Sequence, residues 1–311
     1  MESSTEINLA AEALKKGELV AFPTETVYGL GADATSDQAV ALLYAAKGRP
    51  TFNPLISHVA DAEAAFALGT FGDEAKKLAR AFWPGPLTIV VQRAAHCPVS
   101  FLASAGLSSI ALRVPNHPLA LALLRAVGCP IVAPSANPSG RVSPTTAAHV
   151  KRGLGEKVSI ILDGGPCTVG VESTVVSFMG GRATLLRPGG LSRGAIEKIL
   201  GHELKIEADS AQPHAPGQME SHYAPNAHLR LDATAPRNGE IYLGFGFHDN
   251  GPHTLSARGD VVQAAANLFR MLHELDELGA KEIAVAPIPD EGLGEAINDR
   301  LRRAAAPRPE T

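Results

Sequence analysis

At 311 residues the chain is longer than one hydrophobic core usually fills, about 250–300 residues, so two domains are expected. Its 45% hydrophobic and 19% charged content is that of a globular protein, and apolar runs such as Leu119 to Leu124 break at Arg125, well short of a membrane span. A net charge of −4 excludes a broad basic face for a polyanion; functional cations have to be gathered locally, around a small anionic ligand.

The N-terminus opens with Glu2 and Glu6 and has no basic leader or apolar core of a signal peptide, which predicts a cytoplasmic protein. Residues Thr5 to Lys16 set Ile7, Ala11 and Leu14 on one helical face and stop at Gly17. A strand from Leu19 to Phe22 then runs into the polar loop Pro23-Thr-Glu-Thr-Val-Tyr-Gly-Leu30. Helices are predicted over Ser36–Lys47 and Asp73–Phe82, the second ended by Trp83-Pro84-Gly85-Pro86 before a buried strand, Leu87 to Val91. Ser109–Val114 reads as a strand, His117–Val127 as a helix closed by Gly128, and Pro130–Ala133 as a strand entering the loop Pro134-Ser-Ala-Asn-Pro-Ser-Gly140. Ser143-Pro144 reads as a helix start, with serine as N-cap and proline at the first helical position. Val175–Phe178 and Ala183–Leu186 form a hairpin across Gly180-Gly181, a pair suited to a primed turn, and Ser192 caps a further helix.

From Ile206 to Pro225 the hydrophobic period disappears among Ala, Pro, His, Gln and Ser, which marks a linker. Beyond it Glu240–Phe245, Asp260–Leu278, Lys281–Ala286 and Leu293–Ala304 alternate strand and helix as in a small doubly wound domain. The units are therefore 1–205, a linker 206–227, and 228–311. Cys97, Cys129 and Cys167, odd in number and without a Cys-x-x-Cys pair, read as small core hydrophobes.

Walker, Rossmann, nucleophile-elbow and zinc-helix signatures are all missing. What remains is cations beside hydroxyl-rich loops. Lys47 and Arg49 flank Gly48 ahead of Pro50, a bend that would turn both side chains outward; Lys47 alone could also simply complement the helix dipole. Arg113 and Arg187 each end an apolar strand just before a proline, placed either as anion clamps or as ordinary salt-bridge partners. The Pro134–Gly140 loop can aim backbone N–H groups at an anion or serve as a plain turn. Glu25, Asp33, Asp163 and Glu172 are candidate Mg²⁺ ligands or local acceptors, and His58 and His222 lack metal-ligand spacing.

Pro23-Thr-Glu-Thr-Val-Tyr-Gly-Leu, Lys47-Gly-Arg-Pro with Asn53-Pro-Leu, Trp83-Pro-Gly-Pro-Leu-Thr, Arg113-Val-Pro, Pro134-Ser-Ala-Asn, Glu172-Ser-Thr-Val-Val and Leu186-Arg-Pro-Gly together resemble the YrdC-like threonylcarbamoyl-AMP synthases. Ser221-His-Tyr-Ala-Pro225 and Gly292-Leu-Gly-Glu-Ala-Ile-Asn-Asp-Arg resemble the long, two-domain members. The resemblance implies an α+β / α/β fold: a twisted, mixed open sheet with helices on both faces and a concave cavity, then a linker and a small Rossmann-like domain. It implies formation of L-threonylcarbamoyladenylate from L-threonine, bicarbonate and ATP, with Mg²⁺ accompanying the nucleotide, for a downstream threonylcarbamoyl-transfer machinery acting on tRNA. Carried over by motif, Thr24, His58, Arg113, Ala133 and Ser173 would hold threonine, with Arg113 on its carboxylate. Arg49, Asn53, Ser109, Ser135, Ser143, Arg187 and Tyr223 would contact ATP, and Lys47 and Arg49 would neutralise developing phosphate charge. Tyr223 lies in the linker, which would then act as a lid over a labile carbamate. Ser109 stands where many relatives have threonine, and Met219-Glu220-Ser221 where many have basic residues. Two other readings stay open: an RNA-binding module of this fold, against which the acidic charge and 5% aromatic content weigh, and a carbamoyltransferase-type relative.

Overall fold

The computed structural model of the protein describes residues 2–206, 221–248 and 251–307. In the first part of the chain run α1 (Glu2–Lys15), β1 (Val20–Phe22), β2 (Gly29–Asp33), α2 (Asp37–Lys47), β3 (Ile56–His58), α3 (Ala62–Leu68), β4 (Gly69–Thr70), α4 (Asp73–Phe82), β5 (Leu87–Arg93), β6 (Ser109–Arg113), α5 (Pro118–Val127) and β7 (Ile131–Val132). They are followed by α6 (Ala147–Leu154), β8 (Ile160–Ile161), β9 (Thr174–Ser177), β10 (Thr184–Arg187), α7 (Arg193–Leu200) and β11 (Lys205–Ile206). The strands build one 11-stranded mixed sheet in the order β11-β10-β9-β5-β6-β3-β7-β2-β1-β8, with β4 pairing beside β5.

Strand side chains alternate between the two faces, and the alternation explains where the cavity forms. Ile89, Val91, Ile110, Leu112, Val132 and Val176 enter the main core with α2 and α4, whereas Val20, Phe22 and Ile131 pack under α1 and α5 on the opposite face. On that second face the middle strands carry only a small apolar patch of Ile56, Val90, Ala111 and Val175. His58 lies two residues beyond Ile56, and Arg113 two beyond Ala111, so both point out of the patch on the same side; they are also register partners across β3 and β6.

The C-terminal unit contains β12 (His228–Arg230), β13 (Ile241–Phe245), β14 (Thr254–Ser256), α8 (Val261–Glu277), β15 (Glu282–Val285) and α9 (Gly294–Ala305). Its four strands are all parallel, in the order β12-β15-β13-β14, as expected of a doubly wound layer. Its core takes in Val27, Val142 and Val171 of the first part, so it sits against the loops that surround the cavity. The contact is close: a Cβ on Gly170 would lie 2.4 Å from the carbonyl oxygen of Ala265.

Several sequence expectations need correction. Ser143-Pro144 starts no helix: α6 begins at Ala147, capped by Thr146, whose hydroxyl accepts from the N–H of His149. The β9–β10 connection is not a two-residue primed turn, because Ser177 pairs with Thr184 and only Gly181 of the glycine pair has positive φ. Residues 207–220 of the expected linker, including Met219 and Glu220, lie outside the described residues. Among the described residues no helix is long and apolar enough to cross a membrane.

Candidate active site

The loop after β1 folds on one hydroxyl. Thr24 Oγ1 accepts from the N–H groups of Thr26 and Val27, both at 3.2 Å, and donates to the Val27 carbonyl at 2.7 Å. That turn presents Glu25 and Thr26 to Arg113, whose Nη2 donates to Glu25 Oε1 at 2.8 Å and to Thr26 Oγ1 at 2.9 Å, while Nε reaches the Gly85 carbonyl at 3.3 Å. Among the described residues no acceptor meets Nη1. His58 Nδ1 lies 3.3 Å from the Ile56 carbonyl. A carbonyl only accepts, so Nδ1 carries the proton and Nε2 is an acceptor. Burial, reinforced by the Arg113 charge, pushes the His58 pKa down to about 3, and the ring is neutral.

On the other side of the cavity, α2 ends at Gly48 in the left-handed conformation, φ 60°. The expected outward pair turns inward. Lys47 Nζ donates to the carbonyls of Ser135 and Asn137, and Arg49 donates from Nε to Asn53 at 3.2 Å and from Nη2 to Pro54 at 3.0 Å, again carbonyl oxygens. The reason is that the bend exposes unpaired loop carbonyls which only donors can satisfy. Burial, with the neighbouring Arg49 charge, holds the Lys47 pKa well below its ordinary value, and burial lowers that of Arg49 to about 10. The Ser135 loop is tied to β2 by Leu30 N–H to Pro134 O at 2.7 Å and Ala136 N–H to Tyr28 O at 2.8 Å.

Arg187 closes the third side. Its Nε and Nη2 donate to the Ser173 carbonyl at 3.2 and 2.8 Å, and Nη2 also to Ser173 Oγ, which shares a hydrogen bond with Thr88. A serine held by an arginine and a threonine has no base beside it and is not set up as a nucleophile. Next to it Glu172 accepts from Ser143 Oγ at 2.5 Å and from Arg300 Nε, on α9, at 2.9 Å. Burial alone would raise the Glu172 pKa, but the charges of Arg300 and Arg187 outweigh it and the carboxylate is held ionised.

Ser221 to Pro225 crosses the mouth as a strap. His222 N–H donates to the Arg303 carbonyl at 3.1 Å, and Ala224 N–H to the Gly140 carbonyl at 2.9 Å. Tyr223 is buried with φ 63°, stacked on Phe269 of α8. His222 is buried too; burial and then the charges of Arg49, Lys47, Arg300 and Arg187 hold its pKa well below the usual histidine value.

These three sides and the strap enclose one hollow. Arg49, His58, Arg113, Ala133, Ser135, Ser173, Arg187 and Tyr223 all line it, as do Glu172 and His222. Lys47, Thr24, Asn53 and Ser143 stand one layer back, holding the lining residues or their loops. Ser109 shares the face of Ala111 and Arg113 but lines a neighbouring hollow beside Pro54. The four candidate Mg²⁺ ligands are dispersed: Glu25 pairs with Arg113, Asp33 accepts from Thr35, Asp163 from Tyr28 and Gly165, and Glu172 from Ser143 and Arg300. Among the described residues no three acids, histidines or cysteines could hold a metal ion together. Thr26, His222 and Arg300 were not expected at the site. For Arg300 a signal exists, a charge on the buried stripe of Ile297, Leu301 and Ala304.

Known proteins align with this architecture over its length. The family model described as Telomere recombination, covering Sua5, YciO and YrdC, matches residues 12–189, and that described as Threonylcarbamoyl-AMP synthase, C-terminal domain, matches 191–306. A threonylcarbamoyl-AMP synthase of Bacillus subtilis is 41% identical, over 97% of this chain and 94% of its own. The crystal structure of Pyrococcus abyssi Sua5 complexed with L-threonine is 39% identical and superposes with a TM-score of 0.89, over 97% of this chain and 94% of its own. Full-length HypF, at 22% identity and a TM-score of 0.54, shares the fold alone, over 60% of this chain and 30% of its own. With both units matched, and in this order, the chain belongs to the threonylcarbamoyl-AMP synthase family.

Proposed function

We propose that the protein is a nucleotidyltransferase that makes L-threonylcarbamoyladenylate from L-threonine, bicarbonate and ATP and releases pyrophosphate. The observation that carries the reading is that Arg49, Arg113 and Arg187 face one hollow, with neutral His58 beside Arg113. The relatives' shared name and the L-threonine bound to P. abyssi Sua5 support the substrates.

Arg113 Nη1 takes the threonine carboxylate, and His58 Nε2 accepts from its hydroxyl. The threonine amine adds to CO₂ derived from bicarbonate and loses a proton, giving a carbamate. A carbamate oxygen then attacks the α-phosphorus of ATP; the new P–O bond forms as the bond to the β-phosphate oxygen breaks, and pyrophosphate leaves. The nucleophile is a substrate atom, so the protein contributes position and charge. Arg49 and Arg187, with Lys47 behind the Ser135 loop, offset the phosphate charge. The strap keeps water from the carbamate.

The dispersed acids do not fit a protein-held metal; Mg²⁺ is proposed to arrive on the triphosphate, liganded by phosphate oxygens and water. We place the unit boundaries at 1–205, 206–227 and 228–311, the reaction in the cytoplasm, and its product with a downstream threonylcarbamoyl-transfer machinery for tRNA. Pyrophosphate release measured with each substrate omitted tests the reaction. Release should require threonine, bicarbonate and ATP together, and an equal rate without threonine overturns it.

A further inference from the structure

Arg300 carries a full charge into the interior of the protein and is the largest fully buried side chain of the described residues, 1% exposed. It stands on the apolar stripe of α9, where a guanidinium is unfavourable unless its charge and donors are met. Nε donates to Glu172 Oε2 at 2.9 Å and Nη1 to the Pro188 carbonyl at 2.9 Å and Asp299 Oδ2 at 2.6 Å, whereas buried Nη2 meets no acceptor among the described residues; Cζ lies 5.0 Å from the centre of the Tyr223 ring. Glu172 and Tyr223 line the cavity, and Pro188 directly follows Arg187. Glu172 in turn holds Ser143. One side chain of the C-terminal unit thus touches the strap and two parts of the first unit's wall.

We propose that Arg300 is a positioning residue for the nucleotide: it fixes Glu172 and Tyr223 and cancels the carboxylate charge on that side of the hollow, so that ATP binding depends on the docked C-terminal unit. The inference rests on the reading of the cavity as an ATP and threonine site. Without Arg300, Glu172 and Asp299 lose a shared counter-charge, although Asp299 keeps Arg303 at 3.0 Å. The carboxylate of Glu172, then offset by Arg187 alone, repels a triphosphate. It acts far less on threonine, a zwitterion of no net charge. A guanidinium that merely fastened the two units would show no such preference.

Calorimetric titration of the intact chain separates these cases, with melting temperatures recorded for each variant. Arg300→Met is expected to weaken ATP at least tenfold and threonine less than threefold, with Arg300→Lys, which keeps the charge, falling between it and the wild type. Adding Glu172→Gln to Arg300→Met removes the stranded carboxylate and should recover ATP affinity at least threefold. Equal losses for both ligands, or a double variant no better than Arg300→Met, overturn the proposal; if Arg300→Met does not fold, Arg300→Lys losing the two ligands equally does the same. A wild type that binds no ATP refutes the reading of the cavity itself, whereas wild-type binding left unchanged in Arg300→Met refutes only the role of Arg300.

Discussion

Glu25 and Arg113 form a buried ion pair, Oε1 to Nη2 at 2.8 Å, with both side chains largely withdrawn from solvent. The guanidinium is therefore neutralised before any substrate arrives and offers the hollow a single arm. Deleting one partner of such a pair strands the other, at a cost of about 3–5 kcal/mol. Arg113→Ala would confound binding with folding. The double variant Arg113→Met/Glu25→Gln should instead melt close to the wild type yet bind threonine about 10–100-fold more weakly, the worth of a charged hydrogen bond of about 1.5–3 kcal/mol, with ATP affinity changed much less. Calorimetry on both ligands checks this, and matched losses would contradict a split site.

Arg187→Ala should show the opposite bias. Its guanidinium holds Ser173, so some loss of threonine affinity is expected, but the larger effect falls on ATP, about tenfold or more for one phosphate contact. A variant in which threonine suffers more than ATP would reverse the assignment of the two ends of the cavity.

Acid should loosen the strap. His222 faces Lys47, Arg49, Arg187 and Arg300, and its pKa in the closed chain lies well below the ordinary value of about 6.5. Closure is undiminished above about pH 6.5 and weakens as pH falls below it, because the open chain takes up a proton that the closed one refuses. His58, held at about 3, and the stacked pair His149 and His273 between α6 and α8 act in the same direction. Buried His222 contributes at most about 1.4 kcal/mol per pH unit below that point. Urea midpoints between pH 7.5 and 5 should fall less steeply in His222→Gln, by about one proton; identical slopes would count against the charge cluster.

Gly170 combines φ 77° with backbone contact to α8, where a Cβ would stand 2.4 Å from Ala265 O and 2.5 Å from Ala266 Cα. Gly170→Ala should cost about 1–3 kcal/mol for the backbone conformation alone and additionally push the C-terminal unit outward. Hydrogen exchange would report it as faster exchange in both α8 and the strap, with α1 and α5 unaffected. Unchanged protection of α8 would refute the close approach.

Much of the fold was legible because the amphipathic pattern is local. Asp73–Phe82 emerges as α4 with the expected ends, and Ser36, Ser192 and Asp260 cap the helices that follow them. Strand β2 was not legible. Gly29-Leu-Gly-Ala-Asp reads as a loop by composition, yet its glycines are demanded by packing, since a Cβ on Gly31 would meet the Phe22 ring at 2.9 Å. Ser143 misled for a similar reason: its hydroxyl is engaged by Glu172, 29 residues away, a partner that no local spacing announces. In the site, motif resemblance named the lining residues Arg49, His58, Arg113, Ala133, Ser135, Ser173, Arg187 and Tyr223. It did not give the inward turn of Lys47 and Arg49, which depends on carbonyls brought in from the Ser135 loop, nor the reach of Arg300 from the other end of the chain.

The strap is stitched at Ala224 to Gly140, where Ala224 also bridges Arg141, and at His222 to Arg303, so it is held to both units. If substrates enter beneath it, at least one stitch has to be undone, and slackening either loosens the grip of one half of the chain on the other. On the proposed reading of the hollow, trading substrates for product is then an act of the whole molecule, in which the C-terminal unit would keep the door.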